Sequence, residues 1–236
     1  MGMTMYDTLL QLPLFQGLGQ NDFTAILEKV KIQFYKHKAG ETILEKGKRC
    51  KGFLFLLNGS LQCETCDKDG LFTLYERIEA PFLVEPYSLF GGRTEYVSTY
   101  SAEEACDTLF VDKSFWLSVL SHYEIIRINF LNILSNRAQV LNDRLWTNSS
   151  EELDGRIVDF VSAHSSIPYG EKRLKIKMDD LAKLLYSTRI RISQALNYMQ
   201  GLQGLKLRRG EICIPDLMAL KELLKEKREQ EPISNQ

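Results

Sequence analysis

The chain has 236 residues with nearly balanced charge, 30 Lys and Arg against 31 Asp and Glu. Hydrophobic residues make up 44% of it, which excludes intrinsic disorder and allows one or two domains with packed cores. The sequence has no apolar run of about 18 residues, as a membrane helix requires, and no signal-peptide pattern at its start. We therefore expect a cytoplasmic protein with no membrane partner.

Five cysteines are scattered along the chain, and this odd number argues against a disulfide framework. Cys63 and Cys66 have a spacing that can bind a metal or form a redox pair. The sequence has no second pair of this kind, and its three histidines are not spaced as ligands. We therefore predict no metal and no cofactor, and a redox role for Cys63 and Cys66 stays open.

The first part of the chain changes its apolar spacing near residue 31. Residues 4–30 have the spacing of short helices. From residue 31 to residue 112, apolar residues alternate with polar ones between turns rich in Gly and Pro, which predicts an antiparallel β-barrel or jelly roll. Within it, residues 53–57 are predicted as a buried strand and residues 67–70 as a hairpin turn.

Residues 114–148 contain no Pro or Gly and are predicted to form a long helix. Apolar residues recur in this helix at spacings of three and four, as in a coiled-coil seam. The seam consists of Leu131, Leu134, Ala138, Leu141 and Leu145. It can pack on its own barrel or against the same helix of a second chain. We favour the second arrangement, which predicts a homodimer.

A helix, a tight turn, a second helix and a hairpin are predicted after the helix at residues 153–163. Asp179 and Asp180 suit the start of the first helix, and Ser187 or Thr188 can cap the second. The second helix has one inward apolar stripe, formed by Ile192, Ala195, Leu196 and Met199. Residues 205–214 then alternate around a turn at residues 209–210, which predicts a hairpin.

The outer face of the second helix carries side chains that can donate to phosphates or read base edges. Between residues 172 and 209, ten basic residues are opposed by two acidic ones, in a chain whose net charge is −1. Such a local positive field attracts double-stranded DNA. The predicted DNA-binding residues are Ser187, Thr188, Arg189, Ile190, Arg191, Ser193, Gln194, Asn197, Lys206, Arg208 and Arg209.

Two other classes of function were weighed against DNA binding. The basic end can instead bind a protein partner, and it would then bind any duplex weakly, without sequence preference and only at low salt. An enzyme is not expected, because the sequence has no nucleophile elbow, no phosphate-cradling loop and no paired metal motif.

The order of these parts resembles the Crp/Fnr family of bacterial transcription regulators. Residues 38–47 and 53–61 carry the resemblance in the barrel, and residues 188–194 carry it in the second helix. The resemblance implies an α+β fold with a cyclic-nucleotide-binding-like sensor domain at residues 1–113, a dimerisation helix at 114–150 and a winged helix-turn-helix domain at 151–236. It also implies a homodimer on a near-palindromic operator, contact with RNA polymerase and allosteric control through the barrel.

One segment departs from the cyclic-nucleotide-binding members of the family. Those members hold the ribose with a Gly-Glu pair and the cyclic phosphate with an Arg-Ser pair, where this chain has Val84-Glu85 and Tyr96-Val97. A buried phosphate without a guanidinium or hydroxyl partner is unfavourable. We therefore expect an unidentified small-molecule effector and not cyclic AMP. The predicted pocket consists of Tyr75, Glu85, Tyr87, Arg93, Tyr96, Val97, Tyr100, Leu141 and Asn142, although its four tyrosines fit plain barrel packing as well.

The second helix also departs from the family pattern. Arg189 matches the arginine that contacts guanine in relatives. Ile190 replaces an acidic residue that contacts a base in relatives, and Gln194 replaces a second basic residue that does so. Arginine contacts guanine in a bidentate way, glutamine prefers adenine, and isoleucine contacts only a thymine methyl group. The resemblance therefore implies a DNA half-site that differs from the one recognised by relatives with an acidic and a second basic residue at these positions.

Overall fold

The computed structural model describes residues 5–29, 33–146 and 152–230. The chain divides into two compact units. The N-terminal unit comprises residues 1–62 and 78–146, and the C-terminal unit comprises residues 63–77 and 147–236. Within the described residues, no helix is both long and apolar enough to span a bilayer. The segment 63–77 thus belongs to a different unit from the residues on either side of it.

The described elements follow in chain order. The first are helix α1 (Met5–Gln11), a 3-10 turn (Pro13–Phe15) and helix α2 (Gln20–Lys29). The next strands are β1 (Gln33–His37), β2 (Thr42–Leu44), β3 (Gly52–Asn58), β4 (Ser60–Cys66), β5 (Phe72–Glu79) and β6 (Phe82–Val84). A 3-10 turn (Pro86–Ser88) precedes β7 (Thr99–Ala102) and β8 (Cys106–Asp112).

The remaining elements are mostly helical. Helix α3 (Lys113–Ser118), a 3-10 turn (Leu120–His122) and the long helix α4 (Glu124–Trp146) complete the N-terminal unit. The C-terminal unit continues with α5 (Leu153–His164), β9 (Lys172–Ile176), α6 (Met178–Leu184), α7 (Arg189–Gly201), β10 (Lys206–Arg208), β11 (Glu211–Ile214) and α8 (Leu217–Gln230).

The strands of the N-terminal unit form open antiparallel sheets. One sheet has the order β1-β8-β3-β6, with Leu54 of β3 opposite Phe110 on one side and Val84 on the other. Strand β2 pairs with β7. Antiparallel sheets with helices confirm the mixed character predicted from the sequence. Of the two predicted alternatives, a β-barrel or a jelly roll, the closed barrel is wrong, because β1 and β6 border the first sheet. Alternation of apolar and polar residues indicates only which face of a strand is buried, and that pattern is the same in open and closed sheets.

Aromatic rings join β3 to the helices that follow the sheet. The ring centroid of Phe53 lies 5.1 Å from that of Trp116 and 5.4 Å from that of Phe130, and Trp116 and Phe130 are 4.9 Å apart. Edge-to-face pairs at such distances stabilise a core beyond the area they bury. The buried strand predicted at residues 53–57 is therefore confirmed, and it anchors the first half of α4.

In the C-terminal unit, helix α7 buries the apolar stripe that its sequence predicts. Ile192, Leu196 and Met199 have no exposed surface, and they pack in one core with residues of α5, α6 and α8. Strands pair beside this core in the order β10-β11-β9-β5, all antiparallel. Strand β5 therefore supplies a sheet neighbour to β9, although the two strands are far apart in the sequence.

A buried ion pair joins β5 to β9. Glu76 lies opposite Lys172 in the strand register, their nearest charged atoms are 3.1 Å apart, and both side chains are 0% exposed. Lys172 Nζ also donates to the carbonyl oxygen of Tyr169 at 2.6 Å, and the Glu76 carboxylate accepts from the Ser166 N–H at 2.8 Å. Buried charges require partners of this kind. The pair fixes the segment 63–77 within the C-terminal unit.

Candidate functional site

The turn before α7 sets the direction of that helix. Thr188 is the N-cap, and its side-chain oxygen accepts from the Arg191 N–H at 3.3 Å. Helix α6 begins after Lys177, and neither aspartate is its cap. Asp179 and Asp180 instead lie in its first turn, where negative charge still favours the helix. The predicted cap by Thr188 is confirmed, and the predicted cap of α6 is corrected.

The outer face of α7 presents most of the side chains predicted to bind DNA. Ile190 is 71% exposed and the Arg189 side chain 69% exposed. Other exposed members of the predicted set on or before this helix are Thr188, Arg191, Gln194 and Asn197. Because the opposite face is buried in the core, this exposed row is held in one orientation.

Two serines of the predicted set are less accessible. Ser193 is half-buried. The Ser187 hydroxyl oxygen is enclosed and has no hydrogen-bond partner in the described part of the chain. Ser187 therefore does not present its hydroxyl in the exposed row, which corrects the sequence prediction for this residue. The reason lies in how α6 and α7 meet, since the Ser187 N–H donates to the Ala182 carbonyl oxygen of α6 at 2.8 Å and holds Ser187 against the end of that helix.

The hairpin of β10 and β11 lies next to α7 in the chain and carries exposed positive charge. Lys206, Arg208 and Arg209 are exposed, while Leu205 is buried at 1%. Gly210 has φ of 72°, a left-handed conformation that glycine adopts without strain and that closes the two-residue turn. The predicted hairpin is therefore confirmed, and we call residues 206–214 the basic hairpin.

A cleft of about 300 Å³ lies between the start of α7 and the basic hairpin, and Arg189, Arg208 and Gly210 are among its lining residues. Arg189 Nη1 is 3.6 Å from a carboxylate oxygen of Asp179, and both side chains are more than 60% exposed. An exposed pair of this kind contributes less than about 1 kcal/mol. An anion can therefore compete for Arg189. Local sequence spacing does not predict this pair, because the two residues come from different helices.

A second candidate site surrounds Glu85 in the N-terminal unit. Glu85 is 2% exposed and has φ of 37°. One carboxylate oxygen accepts from the Ser88 hydroxyl at 2.9 Å and from the Val97 N–H at 2.8 Å. The other accepts from the Ser98 N–H at 3.0 Å and from the Tyr100 hydroxyl at 3.1 Å. Four donors of the chain itself therefore satisfy this carboxylate.

Two other residues of the predicted effector pocket bind Glu85 directly, Val97 through its N–H and Tyr100 through its hydroxyl. Tyr96 and Tyr100 are buried at 5% and 1%, which fits the packing alternative, and Tyr87 is half-buried with the Arg137 guanidinium 5.2 Å from its ring centroid. Tyr75 belongs to the C-terminal unit, where Arg173 lies over its ring at 5.3 Å. The remaining members of the predicted pocket are exposed: Arg93, Val97, Leu141 and Asn142.

All five cysteines are free thiols, and four of them are buried. Burial raises the pKa of the Cys50 thiol, and the same cause raises the pKa of Cys106 and of Cys213. Burial, together with a hydrogen bond to Cys50, also raises the pKa of the Tyr96 hydroxyl. A raised thiol pKa lowers the thiolate fraction and so the reactivity. Cys63 and Cys66 lie in β4 where the strand meets its turn, as predicted.

Helix α4 leaves an apolar row uncovered within the N-terminal unit. Leu131 is 60% exposed, Leu141 45% and Ile128 46%, and Ala138 is exposed as well. Leu134 is half-buried against the core. The side chain of Leu145 and residues 147–150 lie outside the described residues. An apolar row on one helix face is typical of an interaction surface.

Comparisons with known proteins agree with this geometry. Residues 35–123 match the family model described as the cyclic nucleotide-binding domain. No curated protein matches the chain. The catabolite activator protein of Thermus thermophilus superposes with a TM-score of 0.52 at 18% identity, covering 91% of this chain and 99% of that one.

A transcriptional regulator of the Crp/Fnr family from Eubacterium rectale superposes with a TM-score of 0.51 at 22% identity, covering 90% of this chain and 98% of that one. This chain shares the fold of these two regulators. The resemblance inferred from the sequence is thereby confirmed, and at these identities the likeness establishes the fold.

The surroundings of Glu85 lack the free backbone donors and the cation that a cyclic phosphate needs. The backbone N–H groups of Val97 and Ser98 point at the Glu85 carboxylate, so they are not free to bind a phosphate. A phosphate placed there would meet a buried carboxylate, and two anions in one buried site repel each other. The side chains at the positions of the family's Arg-Ser pair, Tyr96 and Val97, offer no cation to offset this repulsion.

Proposed function

We propose that this chain is a sequence-specific DNA-binding transcription regulator, and that α6, α7 and the basic hairpin form a winged helix-turn-helix. The observation that carries the proposal is the exposed polar row of α7 beside the exposed basic hairpin, with the opposite face of α7 fixed in the core. A rigid helix with an outward polar face fits the major groove, and an adjacent cationic hairpin fits the phosphates that border it.

Each reading residue has a distinct role in this proposal. Arg189 reads a guanine by a bidentate contact, and Gln194 reads an adenine. Ile190 contacts a thymine methyl group. Arg208 and Arg209 in the hairpin bind phosphates, so they supply affinity without sequence preference. When duplex is absent, the weak pair with Asp179 holds the Arg189 guanidinium at the entrance of the cleft.

We infer that the regulator is a homodimer that pairs along the exposed apolar row of α4. Two-fold symmetry places two copies of α7 in successive major grooves, about 34–36 Å apart, and predicts a near-palindromic operator. The support for the dimer is the uncovered surface of Leu131 and Leu141, which a second copy of the same helix can bury.

Regulation is proposed to be allosteric and to act through the N-terminal unit. The effector is a small molecule other than a cyclic nucleotide, because Glu85 already occupies the donors that a phosphate needs. We place the protein in the cytoplasm, with RNA polymerase as a further partner, as the resemblance implies. No catalytic activity is proposed.

Selection of bound duplexes from a random library with the purified chain tests the proposal. We expect enrichment of a near-palindrome whose half-sites each contain a guanine and an adenine. Weak binding to every duplex, lost on adding salt and with no enriched sequence, would instead indicate that the basic end binds a protein partner.

A further inference from the structure

Tyr186 stands out in the turn between α6 and α7. Its side chain is 94% exposed, and its backbone has φ of 46°. Few residues other than glycine adopt a left-handed backbone, and for a bulky side chain it is unfavourable. Burial does not compensate for this, since nearly the whole ring faces solvent. The phenol hydroxyl has no hydrogen-bond partner in the part of the chain that the structure describes.

The turn holds Tyr186 in place by backbone hydrogen bonds. The Tyr186 N–H donates to the Lys183 carbonyl oxygen at 3.1 Å, and the Ser187 N–H donates to the Ala182 carbonyl oxygen at 2.8 Å. The next residue, Thr188, is the N-cap of α7. The side chain at position 186 is therefore presented from a fixed point next to the exposed row of α7. Strained residues that persist without a packing benefit cluster at functional sites.

We propose that the Tyr186 hydroxyl donates a hydrogen bond to a phosphate oxygen of duplex DNA at the edge of the groove that α7 enters. This inference rests on the proposed function and adds a contact residue that the sequence did not indicate. Tyr186 precedes the helix, so it faces the rim of the groove and not the base edges. Tyrosine is among the side chains that contact phosphates in such complexes.

The neutral phenol distinguishes this contact from those of the basic residues. Each Lys or Arg that binds a phosphate releases counterions and steepens the salt dependence of affinity. A tyrosine hydroxyl releases none. Loss of the Tyr186 contact should therefore weaken binding to every duplex by the same factor and leave the salt dependence unchanged.

Gln203 provides a matched control at the other end of α7. It is also exposed and also left-handed, with φ of 61°, but it follows the helix and lies outside the predicted contact set. Replacement of either residue by glycine should relieve the same backbone strain. Only replacement of Tyr186 should change DNA affinity.

The experiment compares Tyr186→Phe, Tyr186→Gly and Gln203→Gly in the full chain, on the duplex selected above and on an unrelated duplex. We expect Tyr186→Phe to weaken binding to both duplexes about tenfold per bound chain, as for one lost hydrogen bond to a charged acceptor in each copy. We expect both glycine variants to raise the thermal midpoint by about 2–4 °C. Tyr186→Gly should lose affinity as Tyr186→Phe does, and Gln203→Gly should bind as the unmodified chain does.

Three outcomes would overturn the inference in different ways. If Tyr186→Phe binds as tightly as the unmodified chain, the hydroxyl contacts no phosphate. If Tyr186→Phe weakens binding only to duplexes that carry one particular base pair of the selected sequence, Tyr186 contacts a base and not a phosphate. If the unmodified chain prefers no duplex at all, the proposed function fails first and the Tyr186 contact fails with it.

Discussion

The buried pair between Glu76 and Lys172 offers the sharpest test of the C-terminal unit. Glu76→Ala leaves the Lys172 ammonium at 0% exposure, with the Tyr169 carbonyl oxygen as its remaining hydrogen-bond acceptor among the described residues. It also removes the acceptor of the Ser166 N–H. Breaking one side of a buried ion pair destabilises a protein by about 3–5 kcal/mol. We expect the free energy of unfolding of the C-terminal unit to fall by that amount.

A double variant separates the unpaired charge from the lost packing. Glu76→Leu combined with Lys172→Met leaves no buried charge, and exchanging a buried pair for apolar side chains is often neutral or stabilising. We expect this variant to recover most of the stability. The matched control is Lys221→Ala, because Lys221 forms a longer pair of 3.9 Å with Asp159 and is 58% exposed. That change should cost less than about 1 kcal/mol.

Urea denaturation followed by circular dichroism measures these free energies, and hydrogen exchange of the amides at residues 72–76 and 172–176 localises the effect. In Glu76→Ala both strands should exchange faster, because they pair with each other. The reasoning is refuted if Glu76→Ala costs no more than Lys221→Ala, or if the double variant is no more stable than Glu76→Ala.

Three further predictions concern other parts of the molecule. Arg189→Ala should lose about 1–3 kcal/mol of discrimination at one base pair. Arg208→Ala should instead weaken binding to all duplexes alike and lower the slope of log affinity against log salt concentration by about one. Titrations of duplexes with each base pair substituted in turn distinguish the two results. Glu85→Ala should lower the stability of the N-terminal unit by about 2–4 kcal/mol, because four donors lose their acceptor, and calorimetry of the unmodified chain should show no binding of cyclic AMP. Hydrogen bonds from backbone N–H groups, of which the one from Ala219 has the largest effect, lower the pKa of the Asp216 carboxyl. The contribution of Asp216 to stability is therefore present at neutral pH and is lost as the pH falls through that lowered pKa. Asp216 caps α8, since one of its carboxylate oxygens accepts from the Met218 N–H at 2.8 Å and from the Ala219 N–H at 2.9 Å. The thermal midpoint of Asp216→Asn should therefore depend less on acid pH, and an unchanged dependence would contradict this role.

The local elements of this fold follow from apolar spacing. Ile192, Leu196 and Met199 repeat at helical intervals, and the structure buries all three. The turn at residues 67–70 was also predicted, and the Asp67 N–H donates to the Phe72 carbonyl oxygen at 3.1 Å across it. These features depend on contacts between residues that are close in the sequence, where spacing is informative.

The pairing of β5 with β9 depends on residues far apart in the sequence, so local spacing could not predict it. A signal was nevertheless present. Glu76 falls in the apolar register of Phe72, Leu74 and Ile78, and Lys172 occupies a corresponding place before Leu174 in β9. Opposite charges at buried positions of two strands indicate that the strands face each other, because each charge needs the other.

The candidate sites were only partly predictable for a similar reason. The exposed face of α7 follows from its buried stripe, but the enclosure of the Ser187 hydroxyl depends on how α6 and α7 meet. Glu85 was assigned to an effector pocket from its place in the sequence. Its four hydrogen bonds come from residues up to 15 positions away, and only the folded loop brings them together.

The central claim is that two copies of α7 read two half-sites on one face of a duplex. Sedimentation velocity and affinity measurements on the selected duplex, with and without about 5 extra base pairs at its centre, test it directly, because half a turn moves one half-site to the opposite face. We predict two chains per duplex, and a loss of affinity of at least about 100-fold on insertion, as for reversion toward non-specific binding. One chain per duplex, or the same affinity for both duplexes, would contradict the account.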